Sequence, residues 1–216
     1  MSHHPDARVT VGLRLPDGTP VAIVRLLETD RSFVRDDLPG RFAELSDDSR
    51  FLRFLSPVPC LSGTYLRVLA DSIDDHDHVA ITLQALGPHE REDTQGGRLL
   101  GLPIGIGRFI RDRAEPQEAE VAVTVPDAWH GRGAGSLIVR ELARLALQRG
   151  VRRFVATSHA QNPSVLRMLA HAGPVLASTR EGTEVRTAIA LRDDEPRTCA
   201  PHQSRPAARP HSQLDL

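Results

Sequence analysis

The stretch VTVPDAWHGRGAGSLIVREL (residues 123–142) sets Gly131, Gly133 and Gly135 in alternation between a strand-like run and a helical apolar pattern. Before it, EAEVAVTV (118–125) alternates with the period of two that marks a half-buried strand, and Pro126 ends it. After it, apolar residues recur with helical spacing to about Gln148, and Gly150 provides the stop. A chain that goes from strand to helix through glycines exposes the helix's first N–H groups, which carry roughly half a unit of positive charge. Such a terminus is ready to hold an anion, and glycines let the backbone approach a phosphate with no Cβ in the way. The spacing is neither GxGxxG nor GxxxxGK[ST], and the chain has no lysine to serve the latter. The other possibility is a tight strand–helix turn that binds nothing.

Around this unit the pattern alternates. VTVGLRL and PVAIVRLL flank Pro16-Asp17-Gly18 and predict a hairpin. FVRDDLPGRFAEL, SDDSRFLRFL with Ser46 as N-cap, and SGTYLRVLADS opened by Ser62 predict three helices. HVAITLQAL and RLLGLPIGIGRFI predict strands around the polar loop GPHEREDTQGG. VRRFVATS predicts a strand and NPSVLRMLAHAG a helix with Pro163 in its first turn, while PVLAST and EVRTAIAL predict a closing hairpin. The order β-β-α-α-α-β-β-β-α-β-α-β-β implies a mixed α/β (α+β) sheet flanked by helices. Residues 9–191 are expected to form one domain, between a flexible N-terminus (1–8) and a disordered, Pro- and Arg-rich tail (192–216).

The glycine turn resembles the acetyl-CoA pyrophosphate loop of the GNAT N-acetyltransferases, (Q/R)xxGx(G/A), here His130-Gly131-Arg132-Gly133-Ala134-Gly135. The family often has Asn followed eleven residues later by Gly-Phe, and Asn162 precedes Gly173 at that spacing. AEVAVTVPDAWHGRG, RRFVAT, AQNPSVLRMLAHAG and FAELSDDSRFLRFLSPVP look most like bacterial protein lysine acetyltransferases. Those enzymes often carry a nucleotide-binding or ligase-like domain, for which this length is expected to leave no room. Three positions depart from the pattern. His130 replaces Gln or Arg, Pro174 replaces Phe, and Leu169 stands where many members have the tyrosine that protonates the departing thiolate. The single tyrosine, Tyr65, lies in an early helix, with nothing in the sequence linking it to this site.

The resemblance implies a mostly antiparallel GNAT sheet and direct transfer of acetyl from acetyl-CoA to an amine, best a protein lysine. A lysine amine has a pKa of about 10.4, so roughly one in 10³ is neutral at pH 7, and a general base helps. The resemblance puts the base at Glu120. Val121, Val123 and Val125 share one face of their strand, with Glu120, Ala122 and Thr124 on the other. Half-burial would raise such a carboxylate's pKa and suit it to the role; the alternative is an ordinary strand-edge glutamate. The resemblance further implies that backbone N–H groups of about Val123 and Val125 hold the thioester and pantetheine arm. His130, Gly131, Arg132, Gly133, Ala134, Gly135 and Ser136 would take the pyrophosphate. Asn162 would bond the pantetheine or cap its helix.

Composition narrows the partners. A net charge of −1 gives no reason to expect nucleic-acid or membrane binding, and no apolar run nears the ~20 residues of a membrane span. The start of the chain lacks a signal-peptide stretch, so a cytoplasmic location is expected. Cys60 and Cys199 fit neither a disulfide framework nor a zinc site, and no metal is expected. DSIDDHDH (71–78) could be a solvated loop, an acidic lip for a cationic substrate or, least well by its spacing, a metal site. All 27 basic residues are arginine, from a GC-rich genome or because the protein avoids modifying itself. Two rivals remain: a small-molecule amine acetyltransferase and a non-catalytic acyl-CoA sensor.

Overall fold

A computed structural model describes residues 8–87 and 101–192. The strands are β1 (Val9–Arg14), β2 (Pro20–Leu26), β3 (His78–Ala85), β4 (Leu102–Arg111), β5 (Glu118–Thr124), β6 (Arg153–His159), β7 (Val175–Glu181) and β8 (Glu184–Ala190). The helices are α1 (Arg31–Ala43), α2 (Asp47–Phe54), α3 (Gly63–Leu66), α4 (Ala134–Gln148) and α5 (Pro163–Leu169). Their order is the one the periodicities predict. The strands form one sheet in the order β1-β2-β3-β4-β5-β6-β8-β7. Every neighbouring pair is antiparallel except β5–β6, as a strand–helix–strand connection through α4 requires.

The two faces of the sheet are covered differently. On one, Ile138, Val139, Leu142 and Ala146 of α4 bury against Ile81, Leu83, Phe109 and Val121. This approach is close. A Cβ on Gly107 would lie 2.2 Å from Ile138 Cγ2, so the glycines of PIGIG let α4 sit down on β4. On the other face, Val34 and Leu38 of α1 pack with Leu69, Ile73 and Ala80, and Phe42, Leu45 and Val58 form a neighbouring cluster beside Phe54.

Two helices end earlier than their patterns suggest. The third is α-helical only to Leu66 and widens into a π-turn over Arg67–Asp71, where the Ser72 hydroxyl donates to the Val68 carbonyl at 2.7 Å. The last stops at Leu169 rather than running up to Gly173, expected just past its end, and the N–H of Arg192 donates to the Ala172 carbonyl. The expected N-terminal segment and tail lie outside the described residues except for Arg8 and Arg192, as does the polar loop from residue 88 onward. Arg8 itself donates to both carboxylate oxygens of Asp30. Among the described residues no helix is long and apolar enough to cross a membrane.

Candidate active site

β5 pairs with β6 only at Glu118–Arg153, Ala119–Phe154 and Glu120–Val155. From Val121 to Thr124 it keeps only β4 as a partner. The two strands therefore part immediately after Glu120. A cleft of about 320 Å³ opens there, lined by Glu120, Val123, Val125, His130 and Asn162, all expected at the site. Val121, Val123 and Val125 belong to the α4 side of the sheet. Glu120, Ala122 and Thr124 face the α1–α3 side.

Glu120 is exposed, not half-buried. The burial expected of it is missing because the β5–β6 ladder ends at Glu120 and its side chain borders the open cleft. Among the described residues its carboxylate has no hydrogen bond or salt bridge, whereas its strand neighbour Glu118 is held by Arg153 at 2.7 Å and Arg186 at 3.3 Å. The charge it does face is Arg53 of α2. Burial pulls the pKa of Arg53 below the usual guanidinium value, and the Glu120 carboxylate opposes that shift. Arg53 Nε donates to Thr124 Oγ1 at 3.1 Å, which fixes the guanidinium over the cleft side of β5.

At the far end of β5 the chain makes a short 3₁₀ turn, Asp127–Trp129, and enters α4 through the glycines. Gly131 and Gly133 have φ of +73° and +86°, and Gly133 is the N-cap of α4 with no side chain bonding its first N–H groups. The loop does not sit alone. A Cβ on Gly133 would lie 2.8 Å from Pro16 Cδ, so the β1–β2 turn rests on it, and a Cβ on Gly135 would lie 2.9 Å from Met168 Sδ. Arg132 donates to Asp17 at 2.7 Å and Thr19 at 3.1 Å and stacks over Trp129 at 4.1 Å, which ties the same turn to the loop. Ala134 is buried and points into the core, Ser136 is half-buried in the first turn, and His130 Nε2–H donates to the Val125 carbonyl at 2.8 Å. Asp127 accepts the N–H and hydroxyl of Ser46 and the hydroxyl of Ser49, and these bonds, led by the Ser46 N–H, hold its carboxyl down at about 2.

Asn162 is the N-cap of α5 by position, yet its side chain makes no capping bond and lines the cleft. Of its two expected roles, the cap is absent. Leu169, where relatives of the resembled family carry tyrosine, also lines the cleft. So does Tyr65, which nothing in the sequence links to this site: α3 packs its ring edge-on to Phe54, 5.2 Å between centroids. The sequence held one signal for Tyr65, its being the only phenol in the chain, but no local pattern places it opposite β5. Arg53 was missed likewise, as one arginine among many on an amphipathic helix.

The DSIDDHDH loop is a braced turn outside the cleft. Asp74 accepts the N–H groups of His76, Asp77 and His78, and Asp75 pairs with Arg25 and Arg149. His78 is buried, and burial and then Arg108 hold its imidazole down at about 4. Among the described residues no three His, Cys, Asp or Glu side chains converge as metal ligands.

A strand that leaves its parallel neighbour at a carboxylate, then feeds a glycine-capped helix, is the arrangement of an acetyltransferase domain. Residues 66–173 match the Acetyltransferase (GNAT) family, and the chain belongs to it. Acetyltransferase Pat of Mycolicibacterium smegmatis is 37% identical over 76 residues, which are 35% of this chain and 23% of that protein. The GNAT domain of S. lividans PAT superposes with a TM-score of 0.69 at 26% identity, over 88% of this chain and 100% of that one. A cAMP-binding acyltransferase from Mycobacterium smegmatis shares the fold at a TM-score of 0.56 and 23% identity, over 90% of this chain and 51% of that one. The chain thus matches under a quarter of the curated relative and about half of the second structure.

Proposed function

We propose that the protein is an acetyl-CoA-dependent N-acetyltransferase that passes acetyl directly to the side-chain amine of a protein lysine. The observation that carries this is the parting of β5 and β6 at Glu120, with the uncapped N-terminus of α4 at the other end of the same strand. The residues fit the co-substrate. The first N–H groups of α4 would hold the pyrophosphate, Asn162 the pantetheine amides, and the β5 backbone after Glu120 the thioester carbonyl. The lysine acceptor rests on the likeness to the bacterial protein lysine acetyltransferases.

In this mechanism the neutral amine attacks the thioester carbon from the α1–α3 side, where Glu120 lies. Glu120 takes a proton from the nitrogen as the C–N bond forms, directly or through a water in the open cleft. The C–S bond then breaks, and the thiolate takes its proton from Tyr65, the phenol that lines the cleft where Leu169 cannot serve. Acetyl-CoA turnover with a panel of proteins and small amines tests the assignment. Acetyl-lysine on a protein supports it. Turnover of small amines alone makes the enzyme a small-molecule acetyltransferase, and tight binding of acetyl-CoA with no turnover makes it a sensor.

A further inference from the structure

A second cavity, of about 100 Å³, adjoins the cleft on the α1–α3 side and shares Arg53, Phe54 and Thr124 with it. Its walls are mostly apolar, with Phe33, Val34 and Leu38 among them. Three arginines line it, Arg41, Arg53 and Arg108, of which Arg41 is paired with Asp37 and Glu44. Arg108 is only 5% exposed, and among the described residues it forms no salt bridge. The one side-chain hydrogen bond it makes there is to the Leu69 carbonyl at 2.6 Å, through one terminal nitrogen of a fork that offers five N–H donors. Burying a cation without a partner is costly, and a second cation beside it adds repulsion. Burial and then Arg53 draw the Arg108 pKa down to about 9, still charged at neutral pH. The acidic residue in the wall, Asp37, is paired with Arg41 at 3.2 Å. The cavity therefore has an excess of positive charge, a fork suited to a planar anion and an apolar body around it.

Register sets the distance to the reaction. Arg108 pairs with Ala122 and Ile110 with Glu120, so Arg108 and Glu120 share a face of the sheet, two residues or roughly 7 Å apart along the strands. We propose that this cavity is an acceptor subsite for a carboxylate: the amine substrate carries a carboxylate a few bonds from its nitrogen, and Arg108 and Arg53 hold it while the amine lies at Glu120. The proposal rests on the assignment of the α1–α3 side as the acceptor side. The carboxylate belongs either to an acidic side chain beside the acceptor lysine or to a small amino acid.

The test compares 6-aminohexanoate with hexylamine, which has a methyl in place of the carboxylate. Each is titrated calorimetrically into the protein saturated with CoA, so that binding is read without turnover. The expected result is at least tenfold tighter binding of 6-aminohexanoate, with the preference lost in Arg108→Met and in Arg53→Met. The second variant serves if the first fails to fold, and the wild-type comparison needs neither. Equal binding of the two amines by the wild type overturns the proposal, as does a preference that survives in a folded Arg108→Met. Peptides with lysine beside Glu or Gln, assayed with acetyl-CoA against 6-aminohexanoate, identify the source by the larger kcat/KM. A carboxylate preference in binding with no acetyl transfer to any acceptor leaves the subsite standing and removes the transferase assignment.

Discussion

Glu120 and Val155 are the last pair of residues that joins β5 to β6. The carboxylate of Glu120 therefore stands at the apex of the opening, free of the ion pairs that hold Glu118 two residues earlier. Its Gln substitution keeps shape and removes the base. For Glu120→Gln, kcat is expected to fall by roughly 10²–10⁴ while acetyl-CoA affinity stays nearly constant. The defect shrinks as pH rises toward the amine pKa, because more acceptor is then already neutral. Steady-state kinetics across pH check this, and a pH-independent loss would assign Glu120 a binding role.

Tyr65→Phe removes the hydroxyl and keeps the ring on Phe54. If Tyr65 supplies the thiolate's proton, kcat falls by about 10²-fold. A raised KM with kcat unchanged would mean that the phenol only lines the acceptor path.

The glycines of the turn are separable by their surroundings. Gly131 has open space around its missing Cβ, so Gly131→Asp places a negative charge at the anion site at a backbone cost of about 1 kcal/mol. Thermal stabilisation by acetyl-CoA, roughly 2.7 kcal/mol at a hundredfold excess over Kd in the wild type, is expected to drop sharply in this variant. Gly133→Ala instead strains a φ of +86° and presses on Pro16, and is expected to destabilise the unliganded fold by roughly 1–3 kcal/mol. Melting curves with and without acetyl-CoA distinguish the two effects.

Asp127 couples α2, which carries Arg53, to the start of the glycine turn. Its carboxyl titrates near 2 in the folded chain, below the ordinary 3.8, because Ser46 and Ser49 donate to the charged form. A depressed folded pKa means that the carboxylate stabilises the fold above the unfolded value and loses that contribution as pH falls through about 2. The melting difference between wild type and Asp127→Asn is therefore expected to be full at neutral pH and to shrink below about pH 4. A difference that does not change with pH would assign the loss to geometry rather than charge.

With no lysine in its sequence, the protein incubated alone with acetyl-CoA is expected to give no acetyl-lysine peptide by mass spectrometry, while an added acceptor protein gains them. The reaction's product can then be counted on the acceptor without a background from the enzyme.

The order of strands and helices was legible because each element's period is local: two for EAEVAVTV, 3.6 for the run after Gly135, with Ser46 and Ser62 marking helix starts that the structure shows as capped. The turn into α4 was legible for the same reason, since positive φ at Gly131 and Gly133 is a property of those residues themselves. What surrounds the turn was not. Pro16 rests on Gly133 only because the first hairpin folds across more than a hundred residues of chain. Glu120 was identified by its motif, but its exposure followed from β6 diverging one residue later, and pairing between distant strands leaves no periodic mark on either. Arginine is written alike whether it is solvated, as on most helices, or sunk beneath a sheet. Only the packing of α2 and α3 against β4 and β5 made Arg53, Arg108 and Tyr65 neighbours of the cleft, because a tertiary contact joins residues whose separation in sequence carries no information about their distance in space.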